Sequence, residues 1–317
     1  MKLHYQRAGD GDKVIFICNG AGGRIHVWEP LLRALKQQGM YDRDRFTVVT
    51  WDYRGLFESE APEVDARLSI RDIAMDIHAV LQDMKKDKIF ALVGWSMGVQ
   101  VGLEYTALHP GKVDPLDVNH NSPTHNLNPI LIDKVDNLVM LNGTHGHIID
   151  SAMQPIFRMP WLGGAMGDIL TWLKYASPWL RVMLQKLIKQ AEPFVRLHFR
   201  TDANPDMEWL NWEWALDIFD NSQEHTNSFI IQFQELNAHS VYHHLSQMKQ
   251  PALIITGMLD PLTPAYQSYE LRQQLENSTI EVYTWASHFT LMEYSKEVAD
   301  SIVKFILAHE HDDKPQN

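Results

Sequence analysis

The feature that most constrains this chain is an alternation. Short apolar runs at residues 13–18, 46–51, 88–93, 137–142, 251–256 and 279–283 are separated by segments with helical spacing. Brief runs rich in β-branched residues and closed by Gly, Pro, Asn or Asp read as buried strands. Between them, residues 69–84 suit a helix. Ser69 is placed to cap it, and Ile70, Ile73, Ile77, Val80 and Leu81 fall on one face. Further helices are expected over Trp28 to Lys36, from Ser96 to about His109 (where Pro110 stops it), from Pro264 to about Leu275, and from Lys296 to about Ala308. Strands alternating with helices imply an α/β fold: a mostly parallel, doubly wound sheet covered on both faces, with functional loops at the strand C-termini.

Two stretches break the alternation. Residues 144–245 are rich in Trp and Met and punctuated by Pro155, Pro160, Pro178 and Pro193. They read as short helices inserted as a cap, leaving 1–143 and 246–317 as the core. At 317 residues the chain is long enough for a core plus an insertion. Residues 113–136, rich in Asn, His and Pro, read as a surface excursion between helix and strand, and the tail from His309 as frayed.

The chemistry concentrates at the strand ends. Gly94-Trp95-Ser96-Met97-Gly98 follows an apolar run and opens a helical one. A serine hydroxyl is a weak nucleophile until a base takes its proton. A sharp strand-to-helix turn lifts its oxygen above the sheet, and glycines relieve the crowding. The base is expected near the chain end, where His288 follows the 279–283 strand. The acid that orients it is expected at Asp260, after the 251–256 strand, giving the chain order Ser, Asp, His. Capping of the helix that starts at Pro264 is the bland alternative for Asp260. The oxyanion donors are expected to be the backbone N–H groups of Met97 and of Ala21, the latter in Asn19-Gly20-Ala21-Gly22-Gly23. Trp95, Gly20, Gly22 and Phe289 are the expected substrate contacts.

These residues resemble the α/β-hydrolase superfamily, in its cap-bearing serine hydrolase branch. Asn19 to Gly23 is similar to the family's His-Gly-x-Gly-Gly oxyanion loop, with Asn19 in place of the His. Asp52-Tyr53-Arg54-Gly55 resembles its Asp-x-Arg-Gly turn, which is mostly structural. The segments 94–98, 257–264 and 287–289 match its nucleophile, acid and histidine loops. Ser96 stands where the epoxide hydrolase and haloalkane dehalogenase branch carries Asp. The resemblance implies acyl transfer to water through an acyl-serine intermediate, on an ester, lactone, thioester or activated C–C bond. An acyltransferase, or a small-molecule receptor retaining the fold, stays open.

Other classes are disfavoured. A net charge of −12 without a basic stripe argues against nucleic acid. No apolar run reaches the ~20 residues of a membrane helix. No leader peptide is read at the N-terminus, and the one cysteine, Cys18, cannot form an internal disulfide, so a cytoplasmic protein is the default expectation. The Gly-rich loop lacks a following Gly-Lys-Ser/Thr, and His145 and His147 lack completing ligands, so no nucleotide, other cofactor or metal is expected. A small-molecule substrate is expected. Trp161, Trp172, Trp179, Trp209, Trp212 and Trp214, with Met153, Met159, Met166 and Met183, point to an apolar one or to cap packing. No feature fixes an oligomeric state.

Overall fold

The interior apolar runs form strands because nearly all of their residues find a buried place. In a computed structural model, the described residues are 1–40, 45–63, 67–108, 135–148 and 223–310, with single positions 186 and 190. The elements in chain order are β1 (Tyr5–Ala8), β2 (Lys13–Cys18), a 3-10 turn (Ile25–Trp28), α1 (Glu29–Gln37), β3 (Phe46–Trp51), α2 (Ile70–Asp83), β4 (Ile89–Trp95), α3 (Met97–Ala107) and β5 (Val135–Leu141). Then come α4 (Gln223–Ala238), α5 (Tyr242–Leu245), β6 (Ala252–Gly257), α6 (Ala265–Gln274), β7 (Ser278–Tyr283), α7 (Thr290–Glu293) and α8 (Ser295–His309).

The strands lie in the order β1-β3-β2-β4-β5-β6-β7. All neighbours are parallel except β1, which runs antiparallel along β3. The pleat divides the core. Val14, Phe16 and Cys18 of β2 face one side, with the apolar stripe of α2 and with Val99 and Leu103 of α3. Ile15 and Ile17 face the other, against Leu31 and Leu35 of α1 and Val298, Ile302 and Ile306 of α8. This two-sided burial makes the interior strands almost wholly apolar.

The expected α/β fold is therefore present, with local differences. β1 was not expected: its residues are half-buried or exposed, so it carries no apolar run. Ser69 does cap α2, accepting the Asp72 N–H. α3 ends at Ala107 rather than about His109. Of residues 113–136, read from sequence as an excursion, Val135 and Asp136 belong to β5, with Val135 paired with Ile89; residues 113–134 lie outside the described residues. So does most of 144–245, including all its tryptophans and the four methionines named above. His309, where a frayed tail was expected to start, instead closes α8; residues 311–317 lie outside the described residues. No helix among the described residues is long and apolar enough to cross a membrane.

The topology brings five loops to one edge. β2, β4, β5, β6 and β7 lie in that succession. Being parallel, they deliver Asn19 to Gly23, Ser96, Asn142, Asp260 and His288 at their C-terminal ends.

Candidate active site

Ser96 occupies a turn that only a tightly fitted backbone sustains. Its φ is +55° and its ψ −118°, in a region non-glycine residues avoid. Such a conformation costs of order 1–3 kcal/mol and needs its surroundings to hold it. Here the Ser96 N–H donates to the Leu141 carbonyl at 2.9 Å. A Cβ on Gly94 would lie 2.5 Å from the Gly98 carbonyl oxygen, and one on Gly98 would lie 2.2 Å from that of Cys18. Neither position admits a side chain, because strand and helix cross there with their backbones in contact.

The three residues expected to act together are together. His288 Nε2 is 2.9 Å from Ser96 Oγ, and His288 Nδ1 is 2.9 Å from Asp260 Oδ2. All three are buried. Trp95 Nε1 donates to the His288 carbonyl at 3.1 Å. The histidine loop is fastened from α7, where Glu293 accepts the Ser287 N–H at 2.7 Å and its hydroxyl at 2.6 Å. Gly257 lets the acid loop close against it, since a Cβ there would sit 2.4 Å from the Ala286 carbonyl oxygen.

Asp260 does not cap α6, whose N-terminus receives no side-chain hydrogen bond; it braces the turn before that helix. Its Oδ1 accepts the N–H groups of Leu262 and Thr263, each at 2.8 Å, just ahead of α6. Its Oδ2 faces the imidazole. Burial pushes its carboxyl up, but the charge and hydrogen bond of His288, with the bonds from Thr263, outweigh this and hold it below the usual carboxylate range. Cys18 behaves oppositely: burial pushes its thiol up to about 12, so it stays protonated and unreactive.

The Gly-rich loop forms a turn beside the serine. The Gly23 N–H donates to the Gly20 carbonyl at 2.9 Å, and Gly22 has φ +65°. A Cβ on Gly20 would lie 3.3 Å from the Ser96 Cβ. Met97 is the first residue of α3, so its N–H has no acceptor within the helix and the positive end of the helix dipole points this way. Asn19, which stands in place of the family's His, has a side-chain task. Its amide donates to the Trp51 carbonyl at 2.6 Å and accepts from Trp28 Nε1 at 2.7 Å, pinning the loop to two buried tryptophans.

Above this floor is a cavity of about 140 Å³ lined by Ala21, Trp95, Ser96, His288 and Phe289, all expected from sequence. Five further wall residues were missed: Ile148, Phe229, Phe233, Leu236 and Leu262. Three of them recur at positions i, i+4 and i+7 on α4, a spacing readable as one helical face. Gly20 and Gly22, expected to contact substrate, shape the turn and are not among the lining residues. His145 and His147 lie just past β5, with His145 Nε2 3.1 Å from Glu270 and His147 Nδ1 3.0 Å from the Asn237 carbonyl.

Comparison with known proteins agrees with this architecture. A family model described as the alpha/beta hydrolase fold matches residues 13–294. The putative carbamate hydrolase RutD of Variovorax paradoxus is 32% identical over 117 residues, covering 37% of this chain and 41% of that protein. Protein ABHD8 of Bos taurus is 21% identical over 306 residues, covering 95% of this chain and 57% of that protein. The chain thus spans about half the length of these curated relatives. Among solved structures, an esterase from Exiguobacterium antarcticum superposes with a TM-score of 0.67 at 17% identity, covering 96% of each chain. On the match that runs through the oxyanion loop, the elbow, the acid loop and the histidine loop, the chain belongs to the alpha/beta hydrolase fold family.

Proposed function

We propose that the protein is a serine hydrolase that cleaves a carboxylic ester, or a related acyl bond, of a small apolar molecule. The observation that carries the reading is the unbroken chain Ser96 Oγ, His288 Nε2, His288 Nδ1, Asp260 Oδ2, with 2.9 Å at each gap between residues, opening onto an apolar cavity. His288 accepts the hydroxyl proton as Ser96 Oγ attacks the acyl carbon. The N–H groups of Ala21 and Met97 receive the developing oxyanion, where each donor is worth about 3 kcal/mol. His288 then protonates the leaving alkoxide. Water, deprotonated by the same imidazole, releases the acyl group from Ser96.

The cavity bounds the substrate. It is close to the ~150 Å³ apolar cavity that accommodates benzene, so it takes a group of about six non-hydrogen atoms. Among its described lining residues His288 is the one ionisable side chain, which favours an uncharged acyl or aryl group. Ile148, Phe229, Phe233 and Leu236 come from the two described ends of the 144–245 insertion, which supports its reading as a cap. Lactones, carbamates and C–C bonds next to a carbonyl meet the same machinery; a receptor that keeps the fold would bind without turnover.

Hydrolysis of p-nitrophenyl esters of graded acyl length tests the reading. Turnover is expected with short and medium acyl groups. Ser96→Ala is expected to lower it by at least about 10³-fold without disturbing the fold. Ser96→Ala activity near wild type contradicts the mechanism.

A further inference from the structure

Asp260 faces more donors than it has room for, and the surplus leads to a residue outside the motifs. Its Oδ1 takes two backbone N–H groups. Its Oδ2 lies 2.9 Å from His288 Nδ1, 2.9 Å from Asn142 Nδ2 and 2.7 Å from Thr263 Oγ1. Five donors surround a carboxylate with about four lone-pair sites. The Thr263 hydroxyl has only one proton and a second acceptor in reach, the Asn142 carbonyl at 2.8 Å. Asn142 therefore acts on Asp260 twice: its amide donates to Oδ2, and its carbonyl offers the competing threonine another partner.

Asn142 also joins the two loops. The same Nδ2 lies 3.1 Å from the Ser287 carbonyl, on the residue before His288. Both neighbours of this nitrogen are oxygens, so the amide must present its NH₂ to them. The residue is fully buried at the end of β5, with its own N–H donating to the Ile255 carbonyl at 2.9 Å. Its φ of +43° lies in the left-handed region, which Asn, Asp and Gly tolerate best.

We propose that Asn142 is a positioning residue of the Ser96–His288–Asp260 assembly. Its amide keeps Asp260 anionic, aims one lone pair of Oδ2 at His288 Nδ1 and locks the acid loop to the histidine loop. A carboxylate whose lone pairs are filled by fixed N–H donors stays an anion and keeps its orientation while the imidazolium forms. Asn142 does not line the cavity, so its effect falls on kcat rather than on KM. The catalytic part of this role rests on the hydrolase reading above.

Asn142→Gly and Asn142→Asp test it, because both substitutions accept the native backbone conformation. The first readout needs no substrate: the downfield proton resonance of His288 Nδ1–H in wild type and variants. Asn142→Gly is expected to shift or abolish it while the circular dichroism of the fold is kept. The second readout is kcat and KM from about pH 5 to 9 on the ester that wild type cleaves best, with Ser96→Ala as the blank. Asn142→Gly is expected to lower kcat by about 10–100-fold with KM within about twofold. In Asn142→Asp a buried carboxyl meets Asp260 at hydrogen-bond distance, so the two hold one proton between them; it donates to Oδ2 but leaves the Ser287 carbonyl without a donor, and kcat is expected between those of Asn142→Gly and wild type, with the resonance shifted. An unmoved resonance in folded Asn142→Gly, or a kcat of Asn142→Asp no higher than that of Asn142→Gly, overturns the proposal. Should Asn142→Gly fail to fold, the resonance of Asn142→Asp decides, an unmoved one overturning the proposal. Absence of Ser96-dependent turnover in wild type strikes the hydrolase reading instead, and the resonance still judges Asn142.

Discussion

The floor and the roof of the cavity are built by opposite means. The floor is polar and backbone-locked. Ser96, Asp260 and His288 hang on parallel strand ends, and each is held by hydrogen bonds with a neighbouring strand or, for Asp260, within its own loop. The roof described here, α4 with Phe229, Phe233 and Leu236, meets the cavity through apolar side chains. Its polar ties lie away from the cavity: Gln232 donates to the Arg54 carbonyl at 2.8 Å, Gln100 to the Leu236 carbonyl at 3.1 Å, and His239 meets Glu104 at 3.0 Å. The difference teaches where chemistry and selectivity reside. Hydrogen bonds fix the reacting atoms directionally, whereas apolar walls set size without direction.

Substitutions on the two sides should therefore fail differently. The largest expected effect is on the floor. Asp260→Asn keeps the shape but presents an amide donor to an imidazole that needs an acceptor, so kcat should fall by about 10³–10⁴-fold. A loss confined to KM would break the distinction. On the roof, Phe233→Ala should enlarge the cavity and raise the ratio of kcat/KM for longer over shorter acyl esters by about tenfold. An unchanged ratio would remove Phe233 from the wall. The smallest effect concerns the tie between roof and core. Burial pushes the Glu104 carboxyl up, but its hydrogen bond and charge interaction with His239, with Arg71 and His244 adding to them, hold it below its ordinary value. Glu104→Gln should cost about 1–3 kcal/mol of stability at neutral pH. Because the folded-state value is depressed, that stability is fully present above the ordinary glutamate value of 4.5 and is lost as pH falls through the lowered one. The gap between wild-type and variant unfolding midpoints should close in that acid window. A gap that persists there would place the cost in packing.

The same contrast explains what was legible in the sequence. Each interior strand announces itself locally as an apolar run. Ser96, Asp260 and His288 each follow such a run within a few residues, so strand ends and site were readable together. β1 was not, because an edge strand of half-buried and exposed residues takes its identity from β3, its partner far along the chain. Asn142 was readable as the end of a strand but not as a partner of Asp260, 118 residues away. Asn19 was readable as a departure from the family's loop but not as a clamp on Trp28 and Trp51, which exists only once β2 and β3 lie side by side. On α4, spacing reveals that Phe229, Phe233 and Leu236 share a face, and only packing shows what that face covers.

The most direct test of the account is covalent capture of the nucleophile by an alkyl phosphonofluoridate, which forms an Oγ–P bond and releases fluoride. The account predicts one adduct per chain, carried by the peptide containing Ser96, formed in wild type and lost in Ser96→Ala and His288→Ala. An adduct on another residue, or none on folded wild-type protein, would contradict it.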